Sequence, residues 1–178
     1  KVDNDQKYKF ASELIQEVRK RRDDITILAA GYPEKHPEAV SFEEDLQHLK
    51  LKVDAGVDVI ITQLTFSADV FCKFVENCRR VGIPHDIPIL PGLYIPRSFD
   101  ELNRLVKITN VTMPPQLYED FEKLRDFEDK FQARGMTLTV EIIEDIQSNC
   151  SEFIRGFHFY TMNDLSMLKK LTHIVNFS

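Results

Sequence analysis

Residues 25–52, ITILAAGYPEKHPEAVSFEEDLQHLKLK, decide how the chain folds, because they spell out a buried strand, a proline-bracketed loop and an amphipathic helix in one continuous run. Ile25 to Ala30 is largely apolar with β-branched residues at its start, as a strand covered on both faces requires. Gly31 lets the chain leave the sheet. Pro33 and Pro37 stiffen the loop and bias the residues before them, Tyr32 and His36, toward extended backbone, so two rings project from a rigid frame.

The helix starts at Ser41, whose hydroxyl is placed to cap a free backbone N–H, with Glu44 three residues on completing a capping box. Phe42, Leu46, Leu49 and Val53 recur at helical spacing and predict the face that packs on the sheet. Asp45, His48 and Lys52 fall on a second stripe beside it. A ligand lying across the loop and the start of the helix would meet Tyr32, His36 and then that stripe. The plain alternative is a solvated helix face.

The chain has 178 residues, enough for one domain with a substantial core. A net charge of −6 argues against a nucleic-acid groove, and the longest basic run, Arg19 to Arg22, is followed at once by Asp23 and Asp24. Cys72, Cys78 and Cys150 form an odd, loosely spaced set that fits neither a disulfide framework nor a zinc site, which predicts a reducing, cytoplasmic setting. No stretch reads as a membrane span or a signal peptide, so the chain reads as soluble. Residues 1–7 are polar and expected to be frayed or disordered.

Taken in order, a helix over Tyr8 to Arg22 precedes the opening strand and helix, which ends at Gly56. Val57 to Leu64 predicts a second strand, Ser67 caps a helix that stops at Gly82, and Ile87 to Leu90 predicts a third strand. Ser98 with Glu101 reads as a capping box for a helix through Ile108, Pro114 and Pro115 open another, and a long helix over Phe127 to Gln147 contains Gly135 as a weak point. Phe157 to Thr161 predicts a fourth strand, with Asn163 capping a last helix to His173. Strand and helix alternate with no hairpin signal, so the fold class is α/β with parallel strands and right-handed crossovers. A doubly wound sheet and a (β/α)8 barrel both fit, but a barrel needs eight strands and about 250 residues, so four strands make half of one. In either architecture ligand residues come from the carboxyl ends of the strands.

Dinucleotide fingerprint, phosphate loop, zinc-protease helix and nucleophile elbow are all absent from the sequence. Gln63 ends an otherwise apolar strand, where an amide is able to donate to and accept from a heterocycle. His158 and Tyr160 alternate with Phe157 and Phe159, so one pair faces the core and the other the helices; a pocket wall and a hydrogen-bonded structural pair both remain open.

Four strings, AAGYPEKHPEA (29–39), KVDAGVDVIITQ (52–63), PGLYIP (91–96) and FHFYTMN (157–163), together resemble the methylenetetrahydrofolate reductases. That family is one of flavoenzymes with a (β/α)8 catalytic barrel holding FAD, which pass a hydride from NADH or NADPH to 5,10-methylene-tetrahydrofolate and release 5-methyl-tetrahydrofolate. The resemblance implies that Tyr32, His36, Asp45 and Lys52 contact FAD, with His48 at a position where Asn is familiar. It implies that Gln63 meets the folate ring, with Tyr160 and Leu105 in the same substrate pocket.

The matching strings belong to the second half of the family's barrel, so residues 1–178 are expected to be a single partial domain, inactive alone, with the catalytic acids outside it. A half barrel leaves two unpaired edges, which predicts that the missing half, on the same or another chain, covers them, and that the isolated piece self-associates into a homo-oligomer. Within the matched half, Val57 stands where Ala is common, Thr65 replaces an aromatic residue, Ile95 and Pro96 invert a familiar order, and Asp164 replaces an Arg. The alternative reading is a catalytically inactive, diverged half barrel that acts as an interaction partner.

Overall fold

The computed structural model describes residues 8, 10–151 and 154–175. The strands are β1 (Leu28–Gly31), β2 (Val59–Leu64), β3 (Ile89–Leu93) and β4 (His158–Phe159). The helices are α1 (Ala11–Arg21), α2 (Phe42–Asp54), α3 (Ala68–Arg80), α4 (Phe99–Thr109), α5 (Pro115–Lys123), α6 (Glu128–Cys150) and α7 (Ser166–Leu171). All three strand pairs are parallel and the sheet order is β1-β2-β3-β4, as the alternation predicts. The order never reverses, so these strands contain no topological switch point of the doubly wound kind. The expectation for residues 1–7 falls outside the described residues.

Successive helices pack side by side, α1 on α2, α2 on α3, α3 on α6 and α6 on α7. Along β2, Ile60, Thr62 and Leu64 are buried while Val59, Ile61 and Gln63 are only partly so. A Cβ on Gly31 would touch both Ile60 and Phe74 of α3, so this buried row faces the helices. Ile60, Phe71, Phe74 and Ile89 are almost wholly excluded from water there. On the other face Leu28 is 52% exposed and Val59, Ile61 and Leu90 are partly open. Two sides of one sheet thus have different environments, although the sequence is apolar on both.

The opening strand begins at Leu28, three residues later than the expected Ile25. Side chains take over its first backbone groups: the Arg19 guanidinium donates to Ile25 O at 2.7 Å and Gly56 O at 2.8 Å, and pairs with Asp58. The Asp58 carboxylate in turn accepts from Ile27 N at 2.7 Å. Gly56, at φ +116°, leaves the space that the Arg19 stem fills. Arg19 therefore belongs to a clamp joining α1 to both strands rather than to a merely solvated basic run.

Three other expectations are corrected. Gly135 is no weak point in α6: a Cβ there would collide with the Pro96 carbonyl oxygen, so its absence lets α6 approach the loop after β3. The last helix starts at Ser166 with Leu165, not Asn163, at its N-cap; the Asp164 carboxylate accepts from Ser166 N at 2.8 Å, and Asn163 lies before it in the left-handed region at φ +61°. Cys72 and Cys150 form a disulfide joining α3 to α6 across 78 residues, leaving Cys78 as a buried free thiol. The two sulfurs meet because α3 and α6 are neighbours in the helix layer, which spacing along the chain does not reveal. The cytoplasmic expectation rested on unpaired cysteines and loses that support.

Gly135→Ala tests the close approach. A glycine inside a solvent-facing helix gains about 1 kcal/mol of stability when replaced by alanine, whereas overpacking costs about 1–3 kcal/mol. Urea unfolding of the intact protein should show a net loss; a gain would mean that α6 does not press on Pro96.

Candidate functional site

The loop after β1 is held by its own backbone and by α2. Lys35 N donates to Tyr32 O at 3.1 Å, with Lys35 in the left-handed region at φ +87°, and Ala39 N donates to His36 O at 3.1 Å. His36 N donates to the Asp45 carboxylate at 2.8 Å, so the first turn of α2 fixes the loop's midpoint. His36 Nδ1 accepts from Glu38 N at 3.1 Å, which places the imidazole proton on Nε2. Tyr32 and His36 then meet edge to face, 4.5 Å between ring centres. The expected cap is present, Ser41 Oγ accepting from Glu44 N at 3.1 Å, but the Glu44 carboxylate reaches Val40 N rather than Ser41 N.

Lys52, two turns along α2 from Asp45, donates to Ala30 O at 2.9 Å. One donor of its three is used there, leaving two for a ligand. Burial lowers its pKa, and the negative charge of Asp45 partly restores it. Burial, then Asp45, raises the Tyr32 phenol above its usual value, so it stays protonated at neutral pH. Tyr32, His36, Asp45, His48 and Lys52 all line one open cavity of about 490 Å³, closed at one side by Phe10 at the start of α1. The stripe is therefore the wall of a cavity, with His48 at its exposed rim.

A second cluster sits where β2, β3 and β4 end. The β2–β3 register slips between Ile61 and Leu64. Thr62, fully buried, repairs the slip: its hydroxyl donates to Gln63 O and accepts from Gly92 N, each at 2.9 Å. The Tyr160 hydroxyl donates to the Thr62 carbonyl at 3.0 Å. A Cβ at Gly92 would collide with that same carbonyl, so the ring of Tyr160 lies against the sheet only because residue 92 is glycine. Gln63 Oε1 accepts from Leu64 N at 2.9 Å, and its amide borders a small cavity that also touches Tyr32. Burial, then the nearby Tyr32, raises the Tyr160 phenol. Leu105 is 6% exposed in the core side of α4 and lines none of these cavities.

The family model for methylenetetrahydrofolate reductase matches residues 1–176. The chain belongs to the methylenetetrahydrofolate reductase family. It is similar to the 5,10-methylenetetrahydrofolate reductase of Escherichia coli (strain K12), 33% identical over 92% of this chain and 53% of that protein. It is also similar to the probable NADPH-dependent methylenetetrahydrofolate reductase of Caenorhabditis elegans, 33% identical over 90% of this chain and 24% of that protein. The probable NADH-dependent reductase of Oryza sativa subsp. japonica is 35% identical over 86% of this chain and 27% of that protein. The chain thus spans about half the length of the bacterial relative and about a quarter of the two eukaryotic ones. Among solved structures, an uncharacterized protein from Clostridium thermocellum that binds two copies of 5-methyl-5,6,7,8-tetrahydrofolic acid superposes with a TM-score of 0.63. At 16% identity, over 90% of this chain and 58% of that one, this likeness shows the shared fold alone.

Thr65 is tied in locally: its hydroxyl donates to Ser67 O at 2.9 Å and accepts from Ser67 N at 3.2 Å, bracing the entry to α3. Gly92 and Arg97 lie at the carboxyl end of β3, where ligand residues are expected, but their partners, and the part played by Thr62, are not legible in the sequence. Thr62 and Gly92 are remote in sequence and gain meaning only through the register slip. Arg97 pairs with both Glu101 and Asp164, the second of them 67 residues away in sequence.

The lowered Lys52 pKa sets a pH dependence. A lysine that binds its proton less tightly when folded makes the unfolded state the better proton acceptor, so folding is favoured as pH rises through the window between the lowered value and about 10.4. The stability of the protein relative to Lys52→Met should rise as alkaline pH is taken up toward about 10.4 in paired urea titrations, and a flat or falling difference would contradict the burial of the ammonium.

Proposed function

We propose that this chain is the flavin- and folate-binding second half of the (β/α)8 catalytic barrel of a methylenetetrahydrofolate reductase. The observation that carries this reading is the convergence of Tyr32, His36, Asp45, His48 and Lys52 on one cavity beside the strand ends. Sequential parallel strands with helices on one side, and a second sheet face that is partly open, support the missing half.

The residues fit FAD. The crossed rings of Tyr32 and His36 offer a wall for a planar or sugar group, and Asp45, which spends one contact on His36 N, keeps acceptor capacity for hydroxyls. Lys52 is the one Lys or Arg among the described residues lining the cavity, and its two remaining donors suit a phosphate. Once bound, FAD supplies the hydride-carrying chemistry between NADH or NADPH and the folate. The chain's own part is positioning: Gln63 presents its amide to the folate ring, and Tyr160, pinned by Thr62, lays its ring beneath the substrate. A folate ligand accords with the 5-methyltetrahydrofolic acid named for the Clostridium thermocellum protein.

A second reading, an inactive partner protein, is favoured by the carboxylates of Glu38, Glu44 and Asp45, which outnumber the single ammonium in the cavity. Adding FAD to the flavin-free intact protein separates the two. The reductase reading expects saturable quenching of flavin fluorescence, weakened about tenfold or more by Lys52→Met as a charge-assisted contact is lost. No binding, or binding indifferent to Lys52, would sink it.

A further inference from the structure

At the carboxyl ends of β3 and β4, next to Tyr160, the Arg97 guanidinium is shared between two carboxylates of different character. Glu101, one turn along α4, takes Nε at 3.0 Å and a second nitrogen side-on, and its side chain is only 13% exposed. That pair is internal and fixed. Asp164 takes the remaining nitrogen from the other side of the cleft, with a side chain 46% exposed. It is presented by a turn in which Met162 and Asn163 both have left-handed backbone, at φ +49° and +61°. Arg97, Asp164, Tyr94 and Tyr160 border a pocket of about 10 Å³, room for one water and little more.

Resting on the folate reading above, we propose that Asp164 is a specificity-determining residue that fills, with its own carboxylate, an anion site on Arg97 beside the substrate pocket. Tyr160 joins the two regions, its hydroxyl on the Thr62 carbonyl next to Gln63 and its ring on the pocket that holds Arg97. Because Tyr160 and Arg97 line the same pocket, a folate whose ring lay at Gln63 and Tyr160 would have this cation as a neighbour for its carboxylate-bearing tail. Arg97 has five N–H donors and Glu101 cannot use them all, so an anion is welcome there. Asp164 answers that demand from within the chain and adds a like charge against any incoming carboxylate. The consequence is a site that reads the ring of its ligand and discounts the tail.

Asp164→Asn is a clean test because the carboxylate has two jobs on two oxygens. Oδ1 accepts from Ser166 N at the start of α7, and an asparagine oxygen keeps that bond; Oδ2 meets Arg97, and the amide removes its charge. In the intact protein, dissociation constants are measured for 5-methyltetrahydrofolate and for a tail-less tetrahydropterin. The variant should bind the tailed ligand roughly fivefold more tightly and the tail-less one unchanged. The gain should fade at high salt, as expected of an ion pair whose Asp164 side is open to solvent. Equal change for both ligands, no change in either, or weaker binding of the tailed one would overturn the role of Asp164. Failure of the unaltered protein to bind either ligand would instead overturn the folate reading on which it rests.

Discussion

A parallel ladder whose returns all cross on one side is the constraint from which the other features descend. Each strand finds its hydrogen-bond partners only after the chain has travelled back along a helix, and each helix lies beside the last. The face between sheet and helices is therefore sealed by Ile60, Phe74 and Ile89, and every strand delivers its carboxyl end to the same rim. Tyr32, Gln63, Arg97 and Tyr160 come from three different strand-to-helix connections and the end of β2, yet share that rim for this reason alone.

At the rim, precision is supplied by hydrogen bonds that satisfy backbone groups the ladder leaves open. Asp45 accepts the His36 amide, and Tyr160 and Thr62 between them satisfy groups exposed by the register slip. An unpaired buried donor or acceptor costs about 1–3 kcal/mol, so these contacts hold the aromatic rings in place while serving the fold. The residues offered to a ligand are thus positioned by the same bonds that close the sheet.

Much of this was legible in the sequence because it depends on local pattern. The strand and helix order, the Ser41 and Ser67 caps, and the stripe of Asp45, His48 and Lys52 follow from spacing within one element, and the structure places all three stripe residues on one cavity. What escaped depends on partners distant in the chain. Arg19 displaced the start of β1 because its guanidinium reaches Gly56 and Asp58. Gly135 reads as a defect in a helix until Pro96 is brought against it, and Cys72 reads as unpaired until α6 arrives. Leu105, which the resemblance sets against the substrate, is 6% exposed on the core side of α4.

In the function proposed above, the loop after β1 and the polar stripe of α2 form one wall of a flavin cavity. Hydrogen exchange of the intact protein with and without FAD addresses it directly, since an amide slows when a ligand covers or rigidifies its segment. Exchange over residues 32–52 should slow on adding FAD, with the amides around α5 unaffected. Unchanged exchange in that segment, with protection arising elsewhere in the chain, would contradict it.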